Sequence, residues 1–130
     1  MSDPKLRVVV VDDQEGVRAV VADTVRFAGH DVVATAADGR EALECCRQHR
    51  PDVVIMDVQM PGLNGADAME IMLREGLTKR VVLMSGEWRS LGLRSDDLRQ
   101  RGAAAFLEKP FSVTQLFQLL DEYAKSCAQA

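Results

Sequence analysis

Residues 52–65 read DVVIMDVQMPGLNG, and this stretch decides the fold. The run Val53-Val54-Ile55-Met56 is short, continuous and rich in Val and Ile, as suits a strand buried on both faces of a parallel sheet. An acid, Asp57, ends the run, and Pro61-Gly62 marks a loop. Asn64 is placed to cap a helix that starts directly after it. The unit is therefore a buried strand, a polar tip, a tight connection and a helix.

The same unit recurs on both sides. Val8-Val9-Val10-Val11, Val81-Val82-Leu83-Met84 and Ala103-Ala104-Ala105-Phe106-Leu107 are further apolar runs, and Asp31-Val32-Val33-Ala34-Thr35 is a weaker one. Between them, apolar residues recur at spacings of three and four. The stripes are Val17, Val20, Val21, Val25 and Ala28; Ala42, Leu43 and Cys46; Ala66, Met69, Met72 and Leu73; and Val113, Leu116, Phe117, Leu120 and Ala124. Gly29 suits a helix C-terminal cap, and Ser112 with Gln115 reads as a capping box. The stretch from Glu87 to Arg101 lacks one clean stripe; a short, loosely held helix from Ser95 to about Arg101 is expected there. Five strands alternating with five helices predict a doubly wound α/β sheet with helices on both faces.

Length and composition bound the function. The chain has 130 residues, enough for one domain and one core, so residues 1–130 are expected to form a single domain. Sixteen Lys and Arg against 20 Asp and Glu give a net charge of −4, so charge alone attracts neither nucleic acid nor anionic membrane. The longest apolar run has five residues, so no membrane insertion is expected, and the start MSDPKLR has no signal-peptide pattern. Cys45, Cys46 and Cys127 cannot all pair, which fits a reducing cytoplasm. Cys45 and Cys46 are expected on a helix, one inward and one outward, with His30 and His49 solvated at loop ends.

In such sheets ligands bind beyond the carboxyl ends of the strands. There the sequence places Asp12-Asp13 after the first strand, Asp57 after the third, Ser85 after the fourth and Lys109-Pro110 after the fifth. If the first and third strands are neighbours, three carboxylates converge. At about 5 Å and an effective dielectric of about 20, each pair repels by roughly 3 kcal/mol. Protonation, a lysine or a cation must offset this, and an all-oxygen set points to Mg²⁺ before Zn²⁺. Carboxylates, Mg²⁺, a hydroxyl and an ammonium together suit a phosphoryl group.

At these residues the chain resembles the receiver domain of two-component response regulators, over essentially its full length. The matching stretches are VVVVDDQ (8–14), DVVIMDVQMPGLNG (52–65), VVLMSGE (81–87) and AFLEKPF (105–111), in order and with the family's spacing. The resemblance implies a flavodoxin-like, CheY-like (βα)5 fold with strand order 2-1-3-4-5. It implies that Asp57 is the phosphoacceptor, taking its phosphoryl group from a sensor histidine kinase or a histidine phosphotransfer protein. Asp13, Asp57 and the backbone carbonyl of Gln59 would hold Mg²⁺, or Mn²⁺ in its place, with Asp12 binding the ion's waters. Ser85 and Lys109 would bind phosphoryl oxygens, with the Lys109–Pro110 peptide cis. Ser85 and Phe106 would form the switch, and Gln59 and Glu87 would tune hydrolysis. The protein would then be a signalling switch and not an enzyme, a monomer or weak homodimer in the cytoplasm.

Phe106 carries no hydroxyl, so packing alone sets its rotamers; ordinary core is the rival reading. Arg89, Arg94, Arg99 and Arg101, with Trp88, form either a solvated face or a docking surface with the fifth strand and last helix. A stand-alone receiver is the leading reading. A receiver cut from a larger regulator or hybrid kinase, and a phosphorylation-independent binding module, are the alternatives. A flavodoxin would need a phosphate-binding loop where this chain has DDQEG, and an aspartate-dependent phosphatase would need its Asp-x-Asp after the first strand.

Overall fold

A computed structural model describes residues 5–86, 95–109 and 111–129. The elements run β1 (Arg7–Val11), α1 (Glu15–Phe27), β2 (Asp31–Ala36), α2 (Gly39–His49), β3 (Val53–Asp57), α3 (Gly65–Arg74), β4 (Arg80–Ser85), α4 (Ser95–Gln100), β5 (Ala105–Glu108) and α5 (Val113–Gln129). All five strands pair in parallel, in the order β2-β1-β3-β4-β5. The expected sheet and its order are therefore present.

Alternation along the apolar runs builds two cores. Val8, Val10, Val53, Ile55, Val82 and Met84 face one side and pack on Val21 and Val25 of α1 and on Leu116 and Leu120 of α5. Val9, Val11, Val54, Met56, Val81 and Leu83 face the other side, against Leu43 and Cys46 of α2, Met69 and Met72 of α3 and Leu98 of α4. Because both faces are covered, β1, β3 and β4 have no polar alternation to show. The edge strand β2 is only half-buried, which is why its run reads weakly.

The caps follow their local chemistry. Asn64 Oδ1 accepts from the Asp67 amide, and Ser112 and Gln115 exchange both capping-box hydrogen bonds. Gly29 takes φ +93° after α1, a conformation that disfavours a Cβ. No helix among the described residues is long and apolar enough to cross a membrane.

Several expectations need correction. Strand β5 begins at Ala105, because the Ala103 amide closes the α4 turn on the Leu98 carbonyl. Val20 belongs to the α1 stripe by spacing but is 64% exposed, while Val21, Ala22 and Val25 are buried against the sheet. With Val17, Phe111 and Val113 it lines an apolar groove between α1 and α5. His30 is half-buried, not solvated, and its Nδ1 accepts the Leu6 amide at 3.0 Å. Cys46 is buried and Cys45 half-buried, both unpaired, as expected of adjacent helix residues. Burial pushes the Cys46 thiol up to about 12, so it stays protonated and inert at neutral pH.

Candidate functional site

The carboxyl ends of β1, β3, β4 and β5 meet at one cleft of about 650 Å³. Asp12 follows β1 and is fully buried; its Oδ1 accepts the Gln14 amide at 2.9 Å. Asp57 ends β3 and repeats this local turn, its Oδ1 accepting the Gln59 amide at 2.9 Å. In both cases the carboxylate is aimed by its own backbone two residues on. The second oxygen of each is left to face the other. Lys109 bridges them, with Nζ donating to Asp12 Oδ2 at 2.8 Å and to Asp57 Oδ2 at 2.9 Å.

The strands position this group through main-chain bonds. Lys109 follows β5, and its amide donates to the Ser85 carbonyl at 2.9 Å, so the lysine and the buried serine are carried on adjacent strand tips. The Val58 amide bonds the Met84 carbonyl, and the Gly65 amide bonds the Val58 carbonyl, which closes the loop after Asp57. Arg18 of α1 donates through Nη1 to the Asp12 carbonyl at 2.9 Å.

Asp12, Asp13 and Asp57 each present a carboxylate oxygen within 4.8 Å of the others. With Lys109 the four groups sum to −2, so a divalent cation would neutralise them. The donor set is all oxygen, with one exposed member, Asp13, facing the opening. That chemistry fits Mg²⁺, a hard cation that keeps several waters and takes few protein carboxylates.

Electrostatics at the site pull in two directions. Burial raises the Asp57 carboxyl above the usual carboxylate range; the hydrogen bonds from Lys109 and the Gln59 amide oppose this without reversing it. For Lys109, burial works downward, but hydrogen bonds and charge from Asp12 and Asp57 together hold the ammonium above its ordinary value. The lysine therefore stays charged at neutral pH and keeps both pairs.

Of the residues expected at the site, the structure brings together Asp12, Asp13, Asp57 and Lys109, with Ser85 on the neighbouring tip and Gln59 lining the cleft. Glu87, Trp88, Arg89, Arg94 and Pro110, and with Pro110 the expected cis peptide, lie outside the described residues. Phe106 is half-buried and packs against the core on the α3–α4 side. Arg101 pairs with Asp67 and Glu70 of α3. Arg99 is exposed.

Gly65 was not singled out in the sequence. A Cβ built there would collide with the Asp57 carbonyl and with Val58, so α3 can start against the acid's backbone only with glycine. The signal was the sequence N-G at a helix start, which a cap alone already explains.

Comparison with known proteins agrees with this geometry. Residues 8–121 match the response regulator receiver domain. The chain is 37% identical over 115 residues to the transcriptional regulatory protein PdtaR of Mycobacterium tuberculosis (strain H37Rv), covering 88% of this chain and 55% of that protein. It is 31% identical over 121 residues to the chemotaxis protein CheY of Thermotoga maritima, covering 92% and 98%. The solved receiver domain of the putative response regulator NarL from Mycobacterium tuberculosis superimposes with a TM-score of 0.82 at 35% identity, covering 93% and 97%. The chain thus spans about half the length of the first curated relatives it matches.

Proposed function

Because the chain belongs to the response regulator receiver domain family, we propose that it is a phosphoacceptor switch in which Asp57 takes a phosphoryl group from a phosphohistidine donor. The observation that carries this reading is the convergence of Asp12, Asp13 and Asp57 within 4.8 Å, with Lys109 bridging two of them at the floor of an open cleft.

In the transfer, an Asp57 carboxylate oxygen forms a bond to phosphorus as the phosphorus–nitrogen bond of the donor breaks. The bonding pair leaves with the imidazole nitrogen. Asp57 must be ionised to attack, and Lys109 favours that form, offsetting part of the burial that favours the acid. Asp57 suits the acceptor role better than Asp12, which is fully buried. Lys109 and the Ser85 hydroxyl donate to phosphoryl oxygens without a large movement of the strands, since both sit on neighbouring tips. Asp12, Asp13 and Asp57, with the Gln59 carbonyl, would hold Mg²⁺ or Mn²⁺. Such a cation supplies positive charge to the carboxylates and the phosphoryl oxygens.

Gln59 and Glu87 tune hydrolysis in this reading. Ser85 and Phe106 carry the change to the face formed by α4, β5 and α5, where a partner is read. Residues 1–130 act as one receiver domain, alone or as part of a longer regulator. The chain is a substrate and carrier of the phosphoryl group, and its donor is a cytoplasmic sensor histidine kinase or histidine phosphotransfer protein.

The test is direct. Incubation with Mg²⁺ and acetyl phosphate should add about 80 Da, one phosphoryl group, by intact mass. The gain should vanish in Asp57→Asn. A wild-type protein that gains nothing would overturn the reading in favour of a phosphorylation-independent module.

A further inference from the structure

A second cation lines the cleft, reaching it as a side chain from the turn that precedes β5. Arg101 follows α4 and lines the same cleft as Asp57. Its Nε donates to Glu70 at 2.6 Å and its Nη2 to Asp67 at 2.9 Å, both acids lying on one face of α3. Its Nη1 has no hydrogen-bond partner among the described residues. Among the described residues lining the cleft, Arg101 and Lys109 are the only cations. Before a phosphoryl group arrives, Lys109 is paired with Asp12 and Asp57.

We propose that Arg101 is an anion-binding residue of the cleft, which receives the dianionic phosphoryl group of an incoming donor, while Asp67 and Glu70 hold it in reserve. The inference rests on the reading of Asp57 as acceptor.

Three observations support it. Three carboxylates and one ammonium sum to −2, and even a bound divalent cation only brings this to zero, so an approaching dianion gains net attraction only if further positive charge faces it. A guanidinium offers a planar fork of N–H donors that matches two phosphoryl oxygens, and charge-assisted pairs of this kind are strong. Finally, the present pairs are easily given up. Side-chain exposure is 35% for Arg101, 51% for Asp67 and 46% for Glu70, so water can take over either carboxylate when the arginine leaves.

A purely structural clamp and an anion-binding arginine predict different signs. If Arg101 only ties α4 to α3, cutting the pairs from either side has the same effect on phosphorylation. If it binds the donor, removing the arginine slows the reaction, whereas removing its two carboxylate competitors does not. The measurement is the initial rate of phosphorylation of the full chain by acetyl phosphate below saturation, with Mg²⁺, followed by intact mass. Melting temperatures of each variant are taken alongside.

Arg101→Ala should lower the rate about threefold to tenfold. Arg101→Lys should recover part of the loss, and Asp67→Asn combined with Glu70→Gln should leave the rate unchanged or raise it. The proposal is overturned if Arg101→Ala reacts like wild type, or if the double variant slows as much as Arg101→Ala. These outcomes are separable from failure of the acceptor reading. A wild-type chain that gains no phosphoryl group removes both ideas, whereas a reactive wild type with an equally reactive Arg101→Ala removes only this one.

Discussion

Both ends of the sheet are rich in polar side chains, but they use them differently. At the amino end, several polar side chains bond to main chain. Asp52 accepts the Arg7 amide at 2.9 Å, His30 accepts the Leu6 amide, and Thr78 donates to the Pro51 carbonyl at 2.9 Å. Arg50 caps the Gly76 carbonyl. These contacts satisfy backbone groups that strand pairing leaves over. At the carboxyl end, charged side chains bond to one another: Lys109 lies between Asp12 and Asp57, and Asp13 stands beside them. Polar groups held by backbone complete a fold, and their loss leaves a backbone donor or acceptor unmet. Charged groups that also bond to one another, beyond the one amide that aims each of Asp12 and Asp57, keep capacity for a ligand, and their closeness opposes folding.

That contrast is open to test, and the largest effect is expected at the carboxyl end, where α3 starts against Asp57. Gly65→Ala forces a Cβ onto the backbone of Asp57. It should destabilise the protein by about 2–3 kcal/mol and slow phosphorylation roughly a hundredfold, because the acid is displaced by a fraction of an ångström to an ångström. Chemical denaturation and the mass-gain assay read the two losses separately. Full retention of the phosphorylation rate would show that the loop tolerates the shift.

A matched pair gives the next effect, with opposite signs at the two ends. Asp52→Ala removes an acceptor from the Arg7 amide and should cost about 1 kcal/mol while leaving the phosphorylation rate unchanged. Asp57→Asn should abolish phosphorylation and yet raise the urea midpoint in metal-free buffer. The sign follows from the raised carboxyl of Asp57. A carboxyl raised on folding stabilises the fold below its unfolded value and loses that contribution as pH rises through its folded value, so at neutral pH the charged form works against folding. If Asp57→Asn lowered the midpoint, Lys109 would be contributing more than burial takes away.

The smallest effect belongs to His30. Burial lowers this imidazole below its ordinary 6.5, against the pull of Asp121 and Asp31. A depressed value means a contribution that is complete above about pH 6.5 and is lost as pH falls through the folded value, when the ring is protonated and can no longer accept the Leu6 amide. Stability should therefore fall by about 1 kcal/mol or less on going from pH 7.5 to 5.5, more than in His30→Gln. Equal pH slopes in the two proteins would remove His30 from the account.

Much of this site was legible because its residues occupy strand ends, and strand ends are marked by the stop of an apolar run. Asp12, Asp13, Asp57, Ser85 and Lys109 all stand at such stops. Gly65 and Arg101 were not legible. The need for glycine at position 65 arises from the approach of α3 to a backbone carbonyl, and no local pattern records that approach. Arg101 stands among arginines of similar spacing, and only the packing of α4 against α3 separates it from exposed Arg99. The α1 stripe shows the same limit: spacing groups Val20 with Val21, but the angle of the helix on the sheet leaves one outside and buries the other.

The chain's own order of residues determined the elements, the parallel sheet and the set of acids at its tips, because hydrophobic period and turn chemistry act over a few neighbouring residues. Tertiary structure decided which oxygen faces which. It gave Lys109 to Asp12 and Asp57 together, drew Arg101 to α3 and left a valine of α1 in water. Those outcomes depend on distances between segments far apart in sequence, and distance is what folding creates.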